Sequence, residues 1–247
     1  MKVTTILLAM FALISCKEKE KTLTAQLIID EAIKTACSGN CEHATIDFTF
    51  RDKKYRSHRS GGAFVLERFY ADSTGNYKDV LTNYDFKRFK NDSMLQLADS
   101  TRVALSNSVN SVHYFAQLPF GLNAPAVHKE LIGKVAINGA PYYAIRVTFS
   151  EEGGGTDFED VFVYWIHEEN KAVDYFAYSY EVNGGGIRFR EAYNDRYING
   201  IRFVDYNNYK PESLEIELTD LPKLFESGNL KLLSKIETEN IKVAVNR

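Results

Sequence analysis

After residue 14 the chain has no apolar run long enough to cross a bilayer, which takes roughly 20 residues, and the net charge over the 247 residues is only -3. The missing long run excludes an ordinary membrane-spanning helix in the body of the protein. Because acids and bases are interspersed, no basic face offers itself to nucleic acid or to anionic headgroups, and no nucleic-acid partner is expected. Histidine is scarce: His43, His58, His113, His128 and His167 stand far apart, without the i, i+4 pairing of a helical zinc site. No Gly-x-Ser-x-Gly elbow is present, so nothing marks a serine nucleophile. No catalytic residue, metal or cofactor is therefore expected from motifs.

The few apolar-rich positions at the start are informative. Met1 and Lys2 precede the stretch Val3 to Ile14, broken only by Thr4 and Thr5, and Leu13-Ile14-Ser15-Cys16 follows. This resembles a secretion signal ending in the lipobox, where a small residue precedes an acylated cysteine. The expectation is that residues 1–15 are removed and that Cys16 becomes the lipid-bearing first residue, carrying palmitate-type chains. Cys16 as an ordinary residue of a plain signal peptide is the rival reading; it is disfavoured because no other small-x-small site precedes the charged run Lys17 to Lys21. Residues 16–23 read as a lipidated tether. Residues 24–247 read as one domain, within the 200–250 residues that undivided β-rich folds reach.

Cysteine parity agrees with that assignment. Once Cys16 is given to the lipid, Cys37 and Cys41 remain as a pair in an oxidising compartment, with Gly39-Asn40 as a turn between them. A disulfide would join a helix end to the next strand. A metal site on Cys37, Cys41 and His43 is the weaker alternative, having three ligands and no fourth.

The periodicity changes once along the chain. From the N-cap candidate Thr24, apolar residues at 25, 28, 29, 32, 33 and 36 predict one amphipathic helix that stops at Gly39. Alternating, aromatic-rich strands then follow at 44–50, 62–70 and 83–89. A helical interruption carries Val103, Leu105, Val109, Val112, Phe115 and Ala116, and Asn123 with Pro125 predicts a second short helix to about Leu131. Asn138-Gly139 between alternating runs predicts a type I′ hairpin. Further strands are expected at 158–166, 172–182, 187–193 and 201–206, with one or two more between 230 and 245. The order implies a meander of about ten antiparallel strands.

Two glycine triplets, Gly153 to Gly155 and Gly184 to Gly186, lack a following Lys-Ser/Thr and sit between strands, so they read as wide turns rather than phosphate cradles. The acidic loop Glu151, Glu152, Asp157, Glu159, Asp160 lacks the alternating spacing of a calcium loop. Aromatic residues carry more information. In the 158–166 strand, Phe162, Tyr164 and Ile166 alternate with Val163, Trp165 and His167, so both faces are largely apolar. Such a strand needs helices over it or a curved sheet around a cavity. A filled core is the plain reading; a greasy groove with arginines near its mouth is the sharper one.

The runs Asn107 to Val112, Gly121 to Val127, Gly153 to Gly155, Asp160 to Ile166 and Gly184 to Arg190 resemble an uncharacterised lipoprotein family of Bacteroidetes, a domain of unknown function. That family in turn resembles the LolA/LolB lipoprotein-carrier fold in topology. The resemblance implies a mainly β (α+β) protein: a curved antiparallel sheet forming an incomplete barrel, with an N-terminal helix and a mid-chain helical lid. It also implies an outer-membrane lipoprotein, on the periplasmic side or the cell surface, that binds a lipid or another hydrophobic ligand.

For the lining of such a groove the sequence nominates Phe115, Phe120, Tyr143, Tyr164, Trp165 and Tyr178, and for a headgroup Arg188, Arg190 and Arg202. Two other readings stay open. A non-catalytic envelope interaction module would show an exposed apolar patch. A hydrolase acting on an envelope or dietary polymer would need two carboxylates converging in a cleft, from Asp157, Glu159, Asp160 and Glu191.

Overall fold

A computed structural model describes residues 23–181 and 184–246. The signal segment, Cys16 and all but the last residue of the tether lie outside the described residues.

The chain begins with α1 (Ala25–Cys37), whose first turn is capped by the Thr24 hydroxyl accepting from Leu27 N. At its other end Ser38 and Gly39 adopt positive φ, which closes the helix. Ala25, Ile28, Ile29, Ala32 and Ala36 are buried along one stripe, as the periodicity predicts. Cys37 and Cys41 are joined by a disulfide, with Cα atoms 5.2 Å apart. It ties the end of α1 to the short turn that enters the first strand.

Fourteen strands follow among the described residues, arranged as two seven-stranded antiparallel sheets. The first sheet contains β1 (Ala44–Phe50), β2 (Lys53–Ser60), β3 (Ala63–Asp72), β4 (Gly75–Thr82), β5 (Phe86–Lys90) and β6 (Ser93–Met94) in sequence order, with β14 (Thr238–Val245) beside β1. The second is a meander of β7 (Val127–Ile137), β8 (Ala140–Phe149), β9 (Val161–His167), β10 (Val173–Tyr180), β11 (Gly186–Ile198), β12 (Ile201–Lys210) and β13 (Lys231–Ile236). Between the sheets runs α2 (Asp99–Ala116). A third helix, α3 (Leu221–Glu226), follows β12. The chain returns to the first sheet through Glu237, the one residue between β13 and β14. This is a mainly β architecture, an incomplete barrel with helices, as expected.

The hairpin prediction holds in detail: Asn138 and Gly139 both take positive φ, and Ile137 pairs with Ala140. One expectation is corrected. Residues from Asn123 to Leu131 do not form a second short helix; Phe120–Asn123 is a 3-10 turn, and Val127 onward is strand β7, paired with β8 from Val127↔Phe149. Ala124 precedes Pro125 and is held extended, so the chain leaves the turn as a strand. The mid-chain lid is therefore one helix rather than a pair. Among the elements without a counterpart in the sequence reading are β2, in which only Tyr55 and Ser57 are buried, β4, the two-residue β6 and the six-residue α3.

Both faces of the second sheet are covered, which explains the two apolar faces of β9. Phe162, Tyr164 and Ile166 join Phe176, Tyr143 and the buried stripe of α1 in one cluster. Val163 and Trp165 join Phe189, Leu218 and Leu221 in another, under the turn that leads into α3. Full burial of an aromatic side chain contributes on the order of 2–3 kcal/mol, so the two clusters fix the sheet from both sides. At the tip between β8 and β9, a side chain on Gly154 would sit 2.1 Å from the Ser150 carbonyl oxygen, so that turn requires glycine.

Candidate functional site

Helix α2 touches both sheets and shapes the site. Toward the first sheet it buries Val109 against Leu66 and Phe86, and its Ser108 hydroxyl accepts from Arg68 at 2.8 Å. Arg68 in turn shares the fully buried Asp79 with Arg88, at 2.7 and 2.6 Å. Val112, Phe115 and Ala116 follow at i, i+3, i+4 on one helical face: Val112 and Ala116 pack on the cluster around Ile46, Phe48 and Phe203, and Phe115 reaches the aromatic cluster of the second sheet. The Phe115 ring lies 5.8 Å from Phe176 in a stacked arrangement and 5.8 Å from Tyr178. Beside it the Tyr114 and Tyr164 hydroxyls meet at 3.1 Å, and burial pushes Tyr114 up to about 12.

Phe115 separates two hollows. The larger of these, about 250 Å³, is bounded by Phe50 and Arg51 of the first sheet, by Val112, Phe115 and Ala116 of α2, and by Arg190, Val204, Tyr206, Asn208, Ser234 and Ile236 of the second. The smaller, about 160 Å³, lies between α2 and the β8–β9 turn, against Tyr114, Phe115, Phe149, Asp160 and Phe162. Asp160 is raised to about 6 by burial, with Asp157 and Glu181 adding repulsion.

Arg190 projects from β11 into the first hollow. It is 7% exposed, and its guanidinium lies 4.3 Å from the Phe115 ring centre and 5.3 Å from both Phe176 and Tyr178. Nη2 donates to the Tyr178 hydroxyl at 2.9 Å, while Nε has no partner. Among the described residues no carboxylate pairs with it. By contrast Arg202 is engaged three times, donating to Asp195 at 2.8 Å, to Asp174 at 3.1 Å and to the Val173 carbonyl at 3.0 Å.

The nominated residues fall into two groups. Phe115, Tyr178 and Arg190 converge at the last turn of α2, with Tyr164 fully buried beneath them. Arg188 lies one register step away on β11, stacked over Tyr180 at 5.2 Å. The others stand elsewhere. Tyr143 is on the same face of the sheet but donates to Glu168 and lies under Lys134 and Lys171. Phe120 packs with the Cys37–Cys41 end of the core, under Arg59. Trp165 is on the opposite face, 5.6 Å from Phe189. Arg202 lines neither hollow.

Sequence reasoning missed Phe50, Arg51, Val204, Asn208, Ser234 and Ile236. The alternation Val204, Tyr206, Asn208 was available, but a strand ended at Tyr206 leaves Asn208 out. Of the four carboxylates considered for hydrolysis, Asp157 and Asp160 border the smaller hollow, and Glu191 accepts from Asn207 and Tyr209. Glu159 lines a separate, larger hollow of about 780 Å³ on the sheet face that packs against α3. That cavity carries Glu159, Glu181 and Glu217 against one Arg146, beside an aliphatic wall of Ile132, Val161, Val163, Ile187, Leu214, Ile216 and Leu218, and among the described residues Tyr180 is its one aromatic residue. Among the described residues no helix is long and apolar enough to cross a membrane, and no group of His, Cys, Asp or Glu is placed to hold a metal ion.

An incomplete antiparallel barrel, with one helix laid across its aromatic face and hollows on both sides of that helix, is the class that fold and site define. Residues 2–238 match the Family of unknown function (DUF6503), and the chain belongs to that family. No curated protein matches the sequence. Among solved structures the chain is similar to a DUF1329 family protein from Desulfovibrio piger, with a TM-score of 0.56 and 10% identity over 88% of this chain and 92% of that one. It is also similar to a LolA superfamily protein from Nitrosomonas europaea, with a TM-score of 0.49 and 15% identity over 90% and 94%. The first of these likenesses is one of fold.

Proposed function

We propose that the protein is an outer-membrane lipoprotein, anchored through Cys16 and the tether 16–23, whose body, residues 24–247, binds a lipid or other hydrophobic ligand between α2 and the second sheet. One observation carries the reading. Phe115 enters the space between the sheets as a plug with a hollow on either side, so an apolar chain that displaced it would join the two hollows into one aromatic-walled groove. Ligand sites are mostly apolar with a few placed polar groups, and this wall supplies Phe50, Phe115, Phe162 and Tyr206 around Arg190 and Asn208. The larger cavity on the other face has an aliphatic wall but, among the described residues, one aromatic residue, Tyr180, and its Glu159, Glu181 and Glu217 outnumber Arg146, which disfavours an acidic head there.

Native mass spectrometry of the protein released gently from membranes tests this directly. The expected result is an intact mass showing acylated Cys16, together with a fraction carrying an additional noncovalent lipid-sized ligand. A protein that neither co-purifies with such a ligand nor takes up an apolar fluorescent probe would sink the binding reading.

A further inference from the structure

Within that proposed site, we infer that the ligand carries an oxyanion head, and that Arg190 is its counter-charge: the site selects a carboxylate-bearing acyl chain over an uncharged one. The inference rests on the ligand-binding reading above but adds a charge requirement that the reading does not contain.

Burying a guanidinium is costly unless it is paired, because an arginine stays protonated and cannot escape by neutralising. Arg190 is buried, faces three aromatic rings, and makes one hydrogen bond to a neutral hydroxyl, leaving Nε unsatisfied. Cation–π contacts offset part of the desolvation. They do nothing for an in-plane N–H, which needs an acceptor.

The surroundings repeat the pattern. Arg190 pairs in register with Asn208 on β12, and Asn208 with Ser234 on β13, so three polar side chains form one row across three strands at the wall of the hollow. Asn208 donates to the Ser234 hydroxyl at 3.2 Å and leaves its other amide atom buried without a partner. If the amide is turned over, Ser234 donates to Oδ1 and the free group becomes an N–H. In that orientation Arg190 Nε and Asn208 Nδ2 are two unsatisfied donors at one wall, a set that matches an oxyanion. The sign of charge agrees: Arg51 also borders the hollow, and among the described residues no Asp or Glu does. The apolar remainder, Val112, Val204 and Ile236, leads away from the row and suits a chain rather than a small free anion.

The test compares decanoate, decanol, acetate and inorganic phosphate as competitors of an apolar fluorescent probe, at pH 8, on the full chain. Decanoate should displace the probe about tenfold or more better than decanol, the factor that one charge-assisted hydrogen bond supplies. Acetate and phosphate should be weak. In Arg190→Met the acid-to-alcohol ratio should fall to about one, and Arg190→Lys should restore part of it. Equal potency of decanoate and decanol on the wild type overturns the inference while leaving the ligand-binding reading standing. Failure of both to displace or bind defeats that reading itself. Phosphate as potent as decanoate would show an oxyanion site with no requirement for a chain, and would also overturn the proposal. Since the wild-type comparison decides the matter, an Arg190 variant that folds poorly does not protect it.

Discussion

The guanidinium of Arg190 lies 4.3 Å from the centre of the Phe115 ring, so the last turn of α2 and the floor of the second sheet are joined by one cation–π contact. The same contact closes the space between the two hollows. Whatever enters must move one of these side chains, and the helix residue has the freer path because α2 buries only Val109 and His113 completely.

Truncating the plug should therefore separate stability from access. Phe115→Ala is expected to cost about 2–3 kcal/mol, below the 3–5 typical of a fully buried phenylalanine because Phe115 is only half-buried. It should also increase uptake of an apolar dye, since the hollows merge. Urea unfolding and dye titration on the same preparation check both. Lost stability with unchanged uptake would mean that Phe115 is core packing and nothing more.

Arg202 is expected to behave in the opposite way from Arg190. Its three acceptors, Asp174, Asp195 and the Val173 carbonyl, leave it no donor capacity of the kind Arg190 keeps. Burial raises Asp174, an effect that the Arg202 charge opposes. Arg202→Met should destabilise by about 2 kcal/mol, less than the loss of a wholly buried pair, because Asp174 is left without its cation but keeps some access to water. Adding Asp174→Asn should recover part of that loss, and neither change should alter the acid-to-alcohol preference. A cost below about 1 kcal/mol, the worth of an exposed pair, would return Arg202 to the ligand-binding candidates.

That contrast shows how far the sequence could be read. Arg188 and Arg190 share one face of β11, while Ile187 and Phe189 occupy the other, in the cluster beneath α3, as alternation along a strand requires. Asp195 is seven positions from Arg202, across the turn of one hairpin, and was within local reach, whereas Asp174 is 28 positions away and gives no local signal. Phe115 was visible from the apolar spacing of α2, whereas Phe50 and Arg51 reach the same hollow only because β14 returns the chain beside β1. Likewise β2 was silent because its covered face takes only Tyr55 and Ser57, and Ser57 is buried by accepting from Gln117 after α2, not by apolar packing. Trp165 illustrates the remaining ambiguity: two apolar faces announced that both were covered, without saying which cover was the lid.

His113 should make the protein sensitive to mild acid. It is fully buried on α2, with Phe48 and Tyr55 edge-on at 5.5 and 5.6 Å; Nε2 faces the Glu67 carbonyl at 3.1 Å, so Nε2 carries the hydrogen and Nδ1 is left without a partner. Burial lowers its pKa from 6.5 to about 3, an effect that the Glu67 carbonyl opposes. Between those two values the unfolded chain binds a proton that the folded chain refuses, so this contribution to stability is complete above about 6.5 and falls as the pH drops toward 3. From pH 7 to pH 5 the loss should be about 2 kcal/mol. Asp160 acts with the opposite sign: its raised pKa makes the folded state the better proton binder between 3.8 and about 6, so acid favours it there and masks part of the histidine effect. The clean measurement is the difference between wild type and His113→Phe in unfolding free energy at pH 7 and at pH 5. Phenylalanine keeps an aromatic ring against Phe48 and Tyr55 while removing the titrating group, so the variant should lack the histidine-dependent loss. Equal pH dependence in the two proteins would mean that His113 takes up its proton without unfolding α2 from the first sheet.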